Sequence, residues 1–266
     1  MARFPSSSKE ALQQRIDALM LSMTLTMPEG QGPFPVVIQM HGCGGRKPFQ
    51  DDWAEVAKEA GWAVLVVDSY AHRKISSLEA YATVCTGVQL WGRERAGDMY
   101  AMMEWVRRQP WADPNRIAVA GWSHGGWTAL DGMALTPGAE VASATRLEGL
   151  PAEPLAGLVG AFVVYPFAGP GSIAPSRGLR VGAPVQALVG TSDVVVGGKG
   201  LAATLKRTPT KGQPIDVVML EGATHAFDEP SARDLRVRYD PELTARAHTY
   251  YSDFLKSLAK KTSTIR

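Results

Sequence analysis

The run Gly121-Trp122-Ser123-His124-Gly125-Gly126 follows directly on the apolar stretch Arg116-Ile117-Ala118-Val119-Ala120, and it leaves few folds open to the chain. A serine with glycine two residues away on each side, between a strand and a helix, is the pattern of a nucleophile elbow. The turn is so tight that bulky flanking side chains would collide, and the serine backbone is strained so that its hydroxyl stands at the sheet's edge. In a chain with 27 glycines the bare pattern is weak, and its weight comes from the segments downstream of it.

Two later apolar runs supply that context. Val185–Gly190 ends in Thr191-Ser192-Asp193, and Val217–Leu220 ends in Glu221-Gly222-Ala223-Thr224-His225. Ser, then Asp, then His, each just past a buried strand, is the order of an α/β-hydrolase triad. Reactive groups in open parallel sheets collect at the carboxyl ends of the strands, so residues distant in sequence meet there. A serine hydroxyl is a poor nucleophile at neutral pH. His225 is the candidate base that takes its proton, and Asp193 the candidate acid that orients the imidazole and stabilises its charged form. Asp216 and Asp228 also lie near strand ends and remain alternative acids.

A third strand, Val36-Val37-Ile38-Gln39-Met40, runs into His41-Gly42-Cys43-Gly44-Gly45. The glycines let backbone N–H groups approach a substrate oxygen, and the expected oxyanion donors are the N–H groups of Cys43 and His124. Trp122 and Tyr165 are candidate pocket walls, and the His124 side chain is placed at the pocket mouth. His41 is read as a structural histidine with satisfied hydrogen bonds, and Trp91 and Trp127 as packing residues. Cys43 has no histidine in the order a cysteine nucleophile needs.

Size and composition narrow the function. No Pro/Ser-rich or charged linker divides the 266 residues, which predicts a short tail and helix over 1–17 and one catalytic domain over 18–260. With 45% hydrophobic and 20% charged residues there is ample material for a sheet covered on both faces. A net charge of +2, without a basic stripe carrying aromatics, argues against nucleic acid as a partner. The apolar runs are far shorter than the roughly 20 residues a membrane span needs, so no membrane partner is expected. Met1-Ala2-Arg3-Phe4-Pro5-Ser6 lacks the features of an export signal, and the expected location is cytoplasmic. Two cysteines, Cys43 and Cys85, lack zinc-site spacing; a single bridge between them stays open beside the alternative of two reduced thiols.

The pattern predicts a helix over Lys9–Asp17, an alternating strand over Leu19–Met27, a helix over Asp51–Ala60, a strand over Ala63–Asp68 and a helix over Glu94–Arg108. The strand Leu158–Tyr165 and a closing helix, Pro241–Leu258, come after them. Alternation of this kind dictates an α/β fold with a mostly parallel central sheet and helices on both faces. Residues 136–155, rich in Ala, Gly and Pro, suggest a loop and a short helix beside the site, and 167–182 a lid or rim.

Taken together, the His41–Gly45 loop, Asp68-Ser69-Tyr70, Gly121–Gly126, Tyr165-Pro166 and His225-Ala226-Phe227-Asp228 resemble the dienelactone hydrolase family of α/β-hydrolases, over roughly residues 30 to 256. The resemblance implies an α/β-hydrolase fold and the roles given above for Ser123, Asp193 and His225. It also marks two departures. The namesake enzymes use a Cys nucleophile where this elbow carries Ser, and they hold a substrate carboxylate with an Arg beyond the histidine where this chain has Asp228, Glu229 and Pro230. Two carboxylates there predict a neutral substrate, unless Arg73 or Arg95 points into the pocket.

The sequence therefore points to a serine hydrolase that cleaves a small-molecule carboxylic ester or lactone through an acyl-enzyme, with no metal and no cofactor. A peptidase or acyltransferase using the same triad is the alternative, as is a ligand receptor without turnover. The oligomeric state is not encoded in these motifs.

Overall fold

The computed structural model describes residues 9–232 and 234–263. In chain order the elements are β1 (Glu10–Ala11), α1 (Leu12–Met20), β2 (Thr24–Thr26), β3 (Phe34–Met40), α2 (Phe49–Glu59) and β4 (Ala63–Val67). An excursion then carries α3 (Ser77–Glu79), which continues as a π-turn over Ala80–Val84, before α4 (Gly92–Arg107). Next come β5 (Ala112–Trp122), α5 (His124–Ala134), α6 (Ala139–Thr145), β6 (Leu147–Glu148) and β7 (Leu158–Val164). The chain closes with α7 (Ala174–Arg177), β8 (Val185–Gly190), α8 (Gly198–Arg207), β9 (Asp216–Leu220) and α9 (Pro241–Ser263).

The main sheet has seven strands in the order β2-β4-β3-β5-β7-β8-β9, parallel except for β2, which pairs antiparallel with β4. Strand β4 is buried along its whole length, because helices cover both faces. Helices α1, α4, α5 and α8 pack on one face, with Leu12, Met99, Leu130 and Leu201 in a common cluster. On the other face α2 and α9 bring Trp53, Ala57, Tyr251 and Leu255 against Val64, Ala120 and Phe162. The chain turns outward from β3 to β4 and later returns past β3 to β5, so the order reverses between these two neighbours. Crevices at such reversals are where open α/β sheets bind ligands. Register brings the strand ends level there, since Met40 pairs with Gly121 and Gly121 with Val163.

The amino-terminal expectation needs correction. The segment stays helical through Met20 because Leu12, Ile16 and Leu19 form one buried stripe at helical spacing, and the strand shrinks to Thr24–Thr26. The expected boundary after residue 17 thus falls inside α1, which packs into the main core; the first eight residues of the predicted tail lie outside the described residues. In the 136–155 stretch the short helix is α6, and β6 pairs with β1 in a separate two-stranded sheet. Neither α6 nor β6 contributes to the cavity at Ser123.

Cys43 and Cys85 are joined by a disulfide that spans 42 residues of sequence. It ties the loop after β3 to the excursion between β4 and α4, and the Tyr70 hydroxyl adds a hydrogen bond to the Cys43 carbonyl at 2.8 Å. A bridge of this kind suits an oxidising compartment better than the cytosol, which counts against the cytoplasmic expectation. Among the described residues no helix is long and apolar enough to cross a membrane.

Candidate active site

Ser123 lies between β5 and α5 with φ 51° and ψ −110°, a conformation that costs an ordinary residue free energy and persists because its surroundings fix it. Its N–H donates to Val164 O at 2.9 Å, and its carbonyl accepts from Trp127 N at 3.0 Å and Phe167 N at 3.1 Å. A Cβ at Gly121 would overlap the Gly125 backbone, and one at Gly125 would overlap the Met40 carbonyl oxygen. The elbow's glycines are therefore demanded by close approach of backbones. Tyr165 (φ 37°) and Ala226 (φ 47°) are strained in the same sense and line the same cavity.

The structure brings Ser123, His225 and Asp193 together. His225 Nε2 lies 3.0 Å from Ser123 Oγ, and Nδ1 lies 2.8 Å from Asp193 Oδ2. The other Asp193 oxygen accepts from the Val195 and Val196 N–H groups at 2.9 and 3.1 Å, which fixes the carboxylate's orientation. The alternative acids are elsewhere. Asp216 starts β9 at the far end of the sheet, where it accepts from Gln186. Asp228 is buried and accepts from Trp53 Nε1 (3.0 Å), Trp122 Nε1 (3.1 Å) and the Tyr165 hydroxyl (2.6 Å). Burial pushes the Asp228 carboxyl up to about 6 despite these donors.

The backbone N–H groups of Cys43 and His124 have no acceptor among the described residues. Both residues line the cavity beside Ser123. The Cys43 peptide is aimed from behind: His41, fully buried, has Nδ1 2.7 Å from Gly42 O and accepts at Nε2 from Ser69 N–H at 3.1 Å. Because a trans peptide sets N–H opposite C=O, holding Gly42 O fixes the direction of the Cys43 N–H. Burial and the neighbouring Arg95 guanidinium hold His41 neutral, well below the usual imidazole range.

Arg95 is the unexpected member of this group. It is wholly buried, donates to His41 O (2.7 Å) and Ser69 Oγ (2.9 Å), and places Nη1 3.2 Å from His124 Nδ1. Burial and Arg95 push His124 down to about 3, so its ring is neutral. Ser69 is held in turn by Arg73, which donates to its carbonyl at 2.6 Å and grips both oxygens of Asp98 at 2.8 Å. Asp98 also accepts from Arg15 at 2.7 Å, and Arg15 pairs with Glu10. Burial alone would raise the Asp98 carboxyl, but Arg73 and Arg15 outweigh it and hold it far below the carboxylate range.

The profile of the dienelactone hydrolase family matches residues 21–259. The chain belongs to that family. Among solved structures it is similar to a dienelactone hydrolase from Anabaena variabilis (22% identity, 88% of this chain and 90% of that one, TM-score 0.58). It is also similar to a Klebsiella pneumoniae protein assigned as a dienelactone hydrolase (18%, 88% and 91%, TM-score 0.63). A third is Thermogutta terrifontis esterase 2 phosphorylated by paraoxon (15%, 89% and 88%, TM-score 0.62). These likenesses show the α/β-hydrolase fold. No curated protein matches the sequence.

As a dienelactone hydrolase family member the protein has a cavity of about 690 Å³ at Ser123. Trp122 and Tyr165 line it as expected, with their polar ends turned to Asp228. Of the two carboxylates expected to disfavour an anionic substrate, Glu229 lines the cavity, whereas Asp228 is turned inward to its three donors. Neither Arg73 nor Arg95 reaches the cavity, since both are engaged with Asp98, Ser69 and the loop after β3. Part of the expected rim does reach it, through Phe167, Pro170 and Gly171.

Sequence reasoning gave Arg95 only as a candidate pocket cation and missed its contacts with His41, His124 and Ser69, along with the donor set around Asp228. One signal was present: Arg95 and Asp98 fall on the same helical stripe as Met99, Met102 and Val106, all buried. Charges on an apolar stripe have to be paired or hydrogen-bonded inside.

Proposed function

We propose that this protein hydrolyses a neutral carboxylic ester or lactone through an acyl-enzyme on Ser123. The observation that carries the reading is the row of contacts from Ser123 Oγ to His225 Nε2 at 3.0 Å and from Nδ1 to Asp193 at 2.8 Å, set beside two backbone N–H groups with no acceptor among the described residues. Ser123 Oγ attacks the ester carbonyl while His225 Nε2 takes its proton, and the carbonyl electron pair moves onto an oxyanion held by the Cys43 and His124 N–H groups. Collapse of that intermediate breaks the ester C–O bond, and His225 returns the proton to the leaving alcohol. Water then adds to the acyl-serine by the same route, His225 taking its proton and restoring it to Ser123. Asp193 accepts the Nδ1 proton's hydrogen bond throughout and stabilises the imidazolium.

The structural neighbour that is an esterase phosphorylated by paraoxon supports this reading, as does the family. The cavity's charged lining, Lys47, Glu229, Asp234 and Arg236, balances in sign, and Arg236 is paired with Asp234. That supports a neutral substrate. The test is fluorophosphonate labelling followed by peptide mapping, together with turnover of matched ester, lactone and amide substrates. Stoichiometric label on Ser123 and ester cleavage are the expected result. Label on another residue overturns the assignment, and faster cleavage of the amide than of its ester makes the protein a peptidase.

A further inference from the structure

One side of the cavity, next to His124, is walled by aromatic rings that the proposed reaction leaves unused. Trp91, Trp127 and Phe167 all line the cavity. Their spacings form a continuous group, with Trp127 4.9 Å from Phe167, 6.3 Å from Trp91 and 5.0 Å from the His124 ring, centroid to centroid. The sequence alone gives Trp91 and Trp127 as packing residues, yet both line the cavity that holds Ser123.

These rings are held rigid. Trp127 Nε1 donates to Asp131 Oδ2 at 2.7 Å, and the other Asp131 oxygen accepts from Ser172 Oγ, Ile173 N and Ala174 N at 2.9, 2.9 and 3.1 Å. Asp131 is fully buried, so one carboxylate bolts the α5 tryptophan to the rim that carries Phe167. Trp91 Nε1 donates to Gly87 O at 2.7 Å, and the Arg93 guanidinium lies over its ring at 4.3 Å. Gly92 lets Trp127 lie close, since a Cβ there would come 2.5 Å from its ring. With their N–H groups already bonded, the two indoles present only apolar surface to the cavity, Trp91 half-buried and Trp127, 4% exposed, mostly backing it. A rigid aromatic wall needs little ordering when a ligand arrives, and ring pairs in offset or edge contact gain attraction beyond the area they bury.

We propose that Trp91, Trp127 and Phe167 form a subsite for an uncharged aryl group of the substrate, carried on either the acid or the alcohol part of the ester. The subsite rests on the ester-hydrolase reading above. The charged residues that line the cavity come from other segments, and Arg93, stacked on Trp91 and bonded to the Gly171 carbonyl, does not line it.

The test compares kcat/KM for two pairs of esters: methyl 3-phenylpropanoate against methyl 3-cyclohexylpropanoate, and benzyl acetate against cyclohexylmethyl acetate. The first pair places the ring on the acid, the second on the alcohol. In one of the pairs the aryl ester is expected to be favoured by about 3- to 10-fold, a ratio typical of aromatic pairing beyond burial. Trp91→Leu and Phe167→Leu, each checked for an intact fold by circular dichroism, should bring that ratio close to one through KM. Ratios near one in both pairs in the wild type overturn the subsite, and so does an aryl preference that survives both substitutions. Calorimetric binding of the same pairs to Ser123→Ala reads the subsite without turnover. A binding preference there with no wild-type cleavage of any ester would sink the hydrolase reading and leave the aryl subsite standing.

Discussion

The proposed catalytic groups and the facing wall of the cavity are built on different foundations. Ser123, His225 and Asp193 stand at the ends of strands in a seven-stranded sheet whose central residues are buried on both faces. The wall between β4 and α4, which supplies Tyr81, Val84, Cys85 and Gly87, has a separate small cluster made of Tyr70, Ala80, Val84 and Leu90. What the second region lacks in core it replaces with the Cys43–Cys85 bond and the Tyr70 hydrogen bond. On the proposed reading the difference teaches that atoms meant to move protons are mounted where packing fixes them, whereas a surface meant to select a substrate can rest on a few local ties.

The sharpest test of the first region is Ser123→Ala, which should lower kcat by at least roughly 10,000-fold while the melting temperature stays near that of the wild type. A large drop in melting temperature would show that the elbow serine holds the fold as well. Asp193→Asn should cost about 1,000- to 10,000-fold in kcat, and Asp216→Asn nothing measurable. Comparable losses in both would undo the assignment of the acid.

Arg95 lies where the two regions meet, touching His41 and His124 on one side and Ser69 on the other. Arg95→Met should reduce kcat by about 10- to 100-fold with little change in KM, less than the loss of a direct oxyanion donor. Arg95→Lys should recover part of it. A loss carried by KM alone would move Arg95 from the oxyanion loop to the substrate wall. For the second region, reduction of the disulfide or Cys85→Ser should cost about 4 kcal/mol of stability by loop-closure reasoning. KM should rise more than kcat falls. An unchanged KM would mean that the excursion holds its place without the bridge.

The smallest effect is a dependence on pH. Burial raises Asp228 from its ordinary 3.8 to about 6, so the folded state binds this proton more tightly than the unfolded chain. Stability from this group is therefore present below about pH 4 and is lost as pH rises through about 6, a change on the order of 2–3 kcal/mol. The melting temperature of the wild type relative to Asp228→Asn should fall across that window and run parallel above it. A difference independent of pH would show that Trp53, Trp122 and Tyr165 keep the carboxylate ionised throughout.

Much of the chemistry is legible in the sequence because it demands residue types at strand ends. The elbow needs Gly121 and Gly125 for steric reasons, and Asp193 and His225 come after apolar runs that read as strands, β8 mostly buried and β9 half-buried at the sheet's edge with only Leu220 fully covered. Helix α9 is legible too, through Leu243, Ala247, Tyr251 and Phe254. The contacts around Asp228 are not, since its donors come from α2 and from the ends of β5 and β7, and no local pattern links them. The disulfide stays open at the level of sequence for a similar reason: the path of the excursion, which carries little apolar periodicity, decides whether Cys85 reaches Cys43. At the amino end Leu19 fits an alternating strand by local pattern, and tertiary packing of Leu12, Ile16 and Leu19 settles the matter for the helix.

Asp98 has a consequence for anyone who edits this chain. The two guanidinium groups on it belong to opposite neighbourhoods, Arg15 to the amino-terminal helix and Arg73 to the excursion beside the cavity. Trimming the polypeptide back past Arg15 would strip Asp98 of one counterion and let Arg73 re-pair. The slack would arrive at Ser69, whose N–H holds His41 and whose hydroxyl holds Arg95. Distance from the reacting carbonyl is then a poor guide to which deletions or fusions are harmless. The amino-terminal helix is part of the mounting of the loop proposed to hold the oxyanion, and on that proposal shortening it acts as an active-site mutation by another route.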